Sequence, residues 1–225
     1  MNYSPIVRDA SCRHLSPKVL SRLSRVSSRR AQKGFTLIEA IVILLIVGII
    51  VAIVAPKLLT STNNAKALAY RTTAQDLAND WMILNENCGT SQDINTSDIT
   101  TNPGSTGALQ LLVDGTGLNA QYQTCYNNTN LRAMHDAIQG SSTDGYTLNN
   151  SQLSLSNVSI NGKSMFAVTY TPVTNDILLL EYQVLSSAAG AKQATSSTIP
   201  SSDNSDPKLQ FSSSSGSTSM MTIYE

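Results

Sequence analysis

The sequence predicts an α+β protein, a long N-terminal helix followed by a C-terminal antiparallel sheet. Three features predict it. Residues 35–55 form an apolar run interrupted only by Thr36 and Glu39. Beyond that run, apolar residues keep an approximate spacing of three and four as far as residue 87, the signature of an amphipathic helix. After residue 150 the pattern breaks into short apolar stretches separated by turns, which is the pattern of strands.

The chain opens with a basic arm. Residues 1–34 hold eight of the 15 basic residues, among them Arg29, Arg30 and Lys33, against one acidic residue, Asp9. The rest carries seven basic and 14 acidic residues, so a neutral total hides a basic arm and an acidic body. Basic residues directly before an apolar span are held on the cytoplasmic side, so the body is expected to be translocated. An acidic body argues against bulk nucleic-acid binding, which needs a basic footprint.

The apolar run, at 1.5 Å per residue, spans about 31 Å and matches a bilayer core. It is longer than the core of an ordinary secretory signal, and no small-residue cleavage site follows it. The amphipathic stretch continues it through Leu58, Leu59, Ala65, Leu68, Ala69, Ala74, Leu77, Ala78, Trp81, Met82 and Leu84. One helix of about 50 residues, some 75 Å long, is expected. Pro56, without an N–H, is expected to kink or loosen it, and Gly48 is a second weak point. On periodicity alone this is equally a signal anchor tethering a domain to a membrane. That reading leaves Glu39 unexplained, because an acidic residue at the centre of a membrane helix costs about 2.5–3.5 kcal/mol.

In the body, residues 88–150 are expected to be mainly loop, with short helical turns at 108–113 and 129–139. Residues 151–225 are expected to form a sheet of three or four strands. Its candidates are the alternating stretch Leu153, Leu155, Val158 and Ile160, then MFAVTY (165–170) in a hairpin with ILLLEYQVL (177–185), then KLQFS (208–212) beside MMTIYE (220–225). Trp81, the sole tryptophan, is expected in the core between helix and sheet. Cys88 and Cys125 lack CxxC spacing and a histidine cluster, which argues against a metal site. In an oxidising compartment they are expected to pair, contributing roughly 4 kcal/mol, with two free thiols as the alternative.

Lys33-Gly34-Phe35-Thr36-Leu37-Ile38-Glu39, followed by the apolar run and Pro56, resembles the class III signal of type IV pilins. A long helix ahead of an antiparallel sheet resembles the pilin layout as well. The resemblance implies three parts: a leader of residues 1–34, a transmembrane and filament-core helix over 35–56, and a globular domain over 57–225. That domain divides into helix 57–87, loop 88–150 and sheet 151–225. It implies cleavage between Gly34 and Phe35 by a membrane-embedded prepilin peptidase, and N-methylation of Phe35. Gly34, without a Cβ, can lie extended in a protease cleft. Cleavage leaves an amine on Phe35, one helical turn before Glu39. In a dry filament core that carboxylate can pair with the Phe35 amine of a neighbouring subunit and so set register; Pro56 carries over more weakly. The long leader resembles the type IVb class, whereas a Phe start does not; a start near Val26 would leave the short leader VSSRRAQKG. Many pilins place a disulfide near the C-terminus, whereas Cys88–Cys125 brackets the loop after the helix.

The implied function is a structural subunit of a type IV pilus, a homopolymeric helical filament serving adhesion, twitching motility or DNA uptake. Its implied partners are the prepilin peptidase, the inner membrane before assembly and an inner-membrane assembly platform, and its final location is the cell exterior. A minor pilin or a type II secretion pseudopilin is the alternative within the same machinery. A signal-anchored periplasmic binding protein or enzyme is the alternative of another class. No enzyme is expected: His14 lies in the arm, His135 stands alone, and GxSxG, Walker and HExxH motifs are missing. No cofactor is expected. The loop 201–208 carries oxygens that could meet calcium, though a solvated polar turn is the favoured reading.

Overall fold

A computed structural model of the chain describes residues 36–129, 131, 137–215 and 218–225. Gly34, Phe35, Cys12, His14 and His135 lie outside the described residues, as does most of the expected helical turn at 129–139. The chain divides into two compact units, residues 1–47 and 48–225.

In the first unit the described residues form the opening of helix α1, which runs Leu37–Cys88. Thr36 caps it. Its Oγ1 accepts the Glu39 N–H at 3.3 Å and its carbonyl accepts the Ala40 N–H at 3.1 Å. A threonine at the cap with glutamate three residues on is the sequence pattern of a capping box. Glu39 also places a carboxylate in the first turn, where the helix dipole favours it.

In the second unit α1 continues through Pro56. The lost N–H leaves one carbonyl of the preceding turn without its helical partner. Thr60 Oγ1 donates to the Pro56 carbonyl at 3.0 Å. From residue 67 one stripe of α1 is buried: Ala67, Tyr70, Ala74, Leu77, Ala78, Trp81 and Leu84. The alanines let the backbone approach its partner closely, while Tyr70, Leu77 and Trp81 fill the space between. Leu68 and Met82, expected on the same spacing, are exposed at 55% and 49%, because the real stripe runs one residue to the side through Ala67 and Tyr70. Trp81 is in the core as expected, and its indole N–H donates to the Gln92 carbonyl at 2.8 Å.

The partner is a seven-stranded antiparallel sheet of order β1-β2-β3-β4-β7-β6-β5. Its strands are β1 (Gln139–Ser141), β2 (Gly145–Leu148), β3 (Ser151–Ile160), β4 (Lys163–Thr174), β5 (Ser202–Asp203), β6 (Leu209–Ser215) and β7 (Thr218–Tyr224). Seven strands exceed the three or four expected. The unexpected ones are the short strands β1, β2 and β5. Asn149-Asn150 joins β2 to β3 and Asn161-Gly162 joins β3 to β4. All four residues have positive φ, the conformation a two-residue type I′ hairpin demands. Asn161-Gly162 is the commonest sequence for it. The β4–β7 register shifts between Tyr170 and Val173, around Pro172, which has no N–H to give the ladder.

The segment 177–185, expected as a strand pairing with 165–170, is instead part of helix α4 (Asn175–Leu185). The true partners of β4 are β3 and β7. The physical reason is period: the buried residues of α4 are Ile177, Leu178, Glu181 and Tyr182, spaced for a helix rather than alternating. Its leucines, Glu181 and Gln183 are good helix formers. The stretch 88–150, expected as mainly loop with helical turns at 108–113 and 129–139, holds helix α2 (Ser105–Asp114), which takes in the first of those turns, and also helix α3 (Gln123–Thr129), β1 and β2. Helix α2 rests on Gly107, where a Cβ would lie 1.7 Å from the Asn102 carbonyl oxygen. The pair 208–212 and 220–225 does form, as β6 against β7.

Candidate processing and assembly site

The segment that follows the expected cleavage point is an exposed apolar helix. From Leu37 to Leu59 its large aliphatic side chains are all exposed, Leu37 at 78%. Among the described residues α1 is the one helix long and apolar enough to cross a membrane. A soluble surface does not leave such a stretch uncovered; lipid or other apolar helices have to cover it. Glu39 is the one ionisable group between Leu37 and Pro56, it is exposed, and the capping bond to Thr36 holds only its backbone N–H. Its carboxylate and Pro56 are thus placed on the exposed helix, while Gly34 and Phe35 fall outside the described residues.

The amphipathic half of α1 is fastened to the sheet unit in three ways. Cys88, its last residue, is joined to Cys125 of α3 by a disulfide with Cα atoms 5.4 Å apart. The Tyr70 and Tyr170 rings meet edge to face with centroids 4.6 Å apart. The Tyr170 hydroxyl donates to the Tyr70 carbonyl at 2.8 Å. The Tyr70 hydroxyl bonds Ser151 Oγ at 2.7 Å, and Ser151 in turn donates to the Pro172 carbonyl. Third, Arg71 donates to both oxygens of Glu181 on α4 at 3.1–3.3 Å. Glu181 is fully buried, whereas the Arg71 side chain keeps 23% of its exposure. Burial pushes the Glu181 carboxyl up to about 7, and the Arg71 charge and hydrogen bonds offset only part of that. Sequence reasoning missed Glu181 because a carboxylate in an assumed strand reads as a solvated position.

The loop considered for calcium is organised differently. Asp206 is buried, and its carboxylate accepts bonds from the Ser186 and Ser187 hydroxyls and from the N–H groups of Ser187, Lys208 and Leu209. Burial pushes its pKa up, but these hydrogen bonds prevail and hold it below the ordinary carboxylate value. Asp206 therefore pins the loop to the end of α4. Asp203 Oδ1 accepts from Ser205 and from the Asp206 N–H. Among the described residues no three His, Cys, Asp or Glu side chains gather as a metal site would require.

Against this geometry, one family model matches the chain, the prokaryotic N-terminal methylation motif, over residues 29–55. Comparison with curated proteins gives no match, and comparison with solved structures gives none. The matched segment takes in Gly34, Phe35, Thr36 and Glu39 and ends at Ala55, one residue before Pro56. Ahead of a long helix and an antiparallel sheet, this chain carries the class III prepilin signal of type IV pilin-like proteins.

Proposed function

We propose that the protein is a structural subunit of a type IV pilus, with no catalytic step of its own. The observation that carries the reading is the methylation motif at residues 29–55, set on a helix whose apolar side chains are exposed. Residues 1–34 form the leader, and prepilin peptidase cuts between Gly34 and Phe35 and methylates the new amine. The segment 35–56 anchors the subunit in the inner membrane. An assembly platform then moves it into a filament, where the same side chains pack against copies of themselves outside the cell. Residues 57–225 form the surface domain.

In this scheme Glu39 sets register. Its carboxylate, carried into an apolar filament core, is stable only beside a positive partner, and the Phe35 amine of the neighbouring subunit is the one available. Removing one member of a buried pair costs about 3–5 kcal/mol, so a subunit seated out of register is rejected.

Shearing cells that express the tagged protein tests the proposal. A pilus subunit is recovered in the sheared filaments, and Gly34→Val removes it from them and leaves the uncut chain in the membrane. A pseudopilin or minor subunit would leave the sheared fraction nearly empty. An anchored monomer would remain in the membrane with or without the substitution.

A further inference from the structure

Beside the buried stripe of α1 runs a second line of residues that faces a cleft. Lys66, Ala69, Thr73 and Asp76 each precede a member of the buried stripe, Ala67, Tyr70, Ala74 and Leu77, and so lie along the edge where the helix leaves the sheet. Across from them stand Leu148, Asn149 and Asn150, where β2 turns into β3, and Gln139 of β1. The space between measures about 630 Å³, within the roughly 300–1,000 Å³ of ligand sites. Its far wall is fixed. The Tyr70 hydroxyl on α1 bonds Ser151 Oγ at 2.7 Å, and Asn149 and Asn150 both keep positive φ in their two-residue turn. The cleft is therefore formed within a single subunit.

The polar groups of the cleft lack partners. Thr73 keeps only 4% of its exposure, yet its hydroxyl makes no hydrogen bond among the described residues. Thr72 beside it donates to the Leu68 and Ala69 carbonyls. No sealed side-chain polar atom is left unpaired among the described residues, so the Thr73 hydroxyl is open, and it opens where Thr73 lines the cleft. A ligand that closes over it has to supply its hydrogen bond. The Lys66 ammonium and the Asp76 carboxylate form no ion pair among the described residues, and the Gln139, Asn149 and Asn150 amides make no side-chain hydrogen bond there. Ten residues of helix set Lys66 and Asp76 about 15 Å apart, at opposite ends, with Ala69 and Leu148 as an apolar floor between them. A matching ligand is negative at one end, positive at the other and rich in hydrogen-bonding groups between. Nucleic acids and anionic glycans carry one sign along their length. A zwitterionic lipid headgroup holds its two charges too close together to reach both ends. An extended peptide of about five residues, at roughly 3.3 Å each, spans the distance with its own charged termini.

We infer that the cleft between α1 and the β2–β3 turn is a binding site for a short free peptide, with its carboxylate terminus on Lys66, its ammonium terminus on Asp76 and its backbone amides on Thr73 and the Asn149-Asn150 turn. The inference does not rest on the filament reading, since both walls belong to one subunit. Lys66 and Asp76 are exposed, and exposed ion pairs are weak and screened by salt, so affinity is modest and falls as ionic strength rises.

The test is calorimetric titration of the full-length protein, in neutral detergent micelles, with penta-alanine bearing free termini and with its N-acetylated, C-amidated twin, at low and high salt. The expected result is that the free peptide binds, that salt weakens it, and that the capped twin binds at least about tenfold more weakly. Lys66→Gln and Asp76→Asn, both at exposed positions and checked for folding by circular dichroism, each weaken the free peptide about fivefold. Thr73→Val, which keeps the shape and removes the hydroxyl, weakens both peptides. A Lys192→Gln control, outside the cleft, binds as the parent does. Failure of the free peptide to bind would overturn the inference. So would equal binding of the two peptides, or unchanged binding in folded Lys66→Gln and Asp76→Asn. If sedimentation shows that these substitutions alter only self-association, the cleft holds a second copy of the chain and the inference is likewise wrong.

Discussion

Glu181 is a fully buried carboxylate whose environment opposes its charge. Its folded pKa, about 7, lies above the ordinary 4.5, so the folded state favours the proton more than the unfolded chain does. The stability this contributes is fully present below about pH 4.5 and is lost as pH rises through 7. One pKa unit corresponds to 1.36 kcal/mol, so the loss is at most about 3 kcal/mol. Burial raises Asp80 and Glu225 as well, and they act in the same direction at lower pH. Asp206, held low, loses its contribution only as pH falls below its ordinary range. Urea unfolding at pH 5 and pH 8 should therefore show greater stability at pH 5. Glu181→Gln, which keeps an oxygen for Arg71, should flatten most of that difference. Arg71→Ala should cost about 3–5 kcal/mol at pH 8, where it strands a buried carboxylate, and far less at pH 5. Glu39 follows a different rule under the proposed assembly, which puts its partner in another subunit. Glu39→Ala should leave the unfolding of the globular domain unchanged and sharply lower filament yield, measured as protein in the sheared fraction. Parental yield in that variant would remove its proposed role.

At the scale of elements, legibility followed length and period. The apolar run and its amphipathic continuation could be read as one helix because more than ten turns share a pattern. β6 and β7 could be read from alternation. α4 could not, since nine apolar-rich residues fit strand and helix equally until Glu181 is known to be buried. The cue was the order Ile177, Leu178, Glu181, Tyr182, which is a helical stripe only if glutamate can be an inside residue. The short strands β1 and β2 had too few residues for a period, and only the Asn149-Asn150 turn after β2 announced that one. Two predictions belong here. Cys88→Ser with Cys125→Ser should lower stability by about 2–4 kcal/mol, read as a shifted urea midpoint that equals the parent's under reducing conditions. Gly107→Ala should cost about 1–3 kcal/mol or more, because the Asn102 backbone has to move to admit the methyl group.

For the whole molecule, the candidate site is a linear signal, and the family match over residues 29–55 falls where the sequence places it. Gly34, Phe35 and Glu39 are named from that signal alone and need no fold. The features that need three dimensions could not be named: the Arg71–Glu181 pair and the Asp206 anchor both join residues far apart in the chain. The central claim is that the chain is matured at Gly34 and leaves the membrane as part of a filament. The most direct test is the intact mass and N-terminal sequence of the protein recovered from sheared surface material. The account predicts a chain beginning at N-methylated Phe35, lighter by two hydrogens for the Cys88–Cys125 bond. An uncut chain, found only in the membrane fraction, would contradict it.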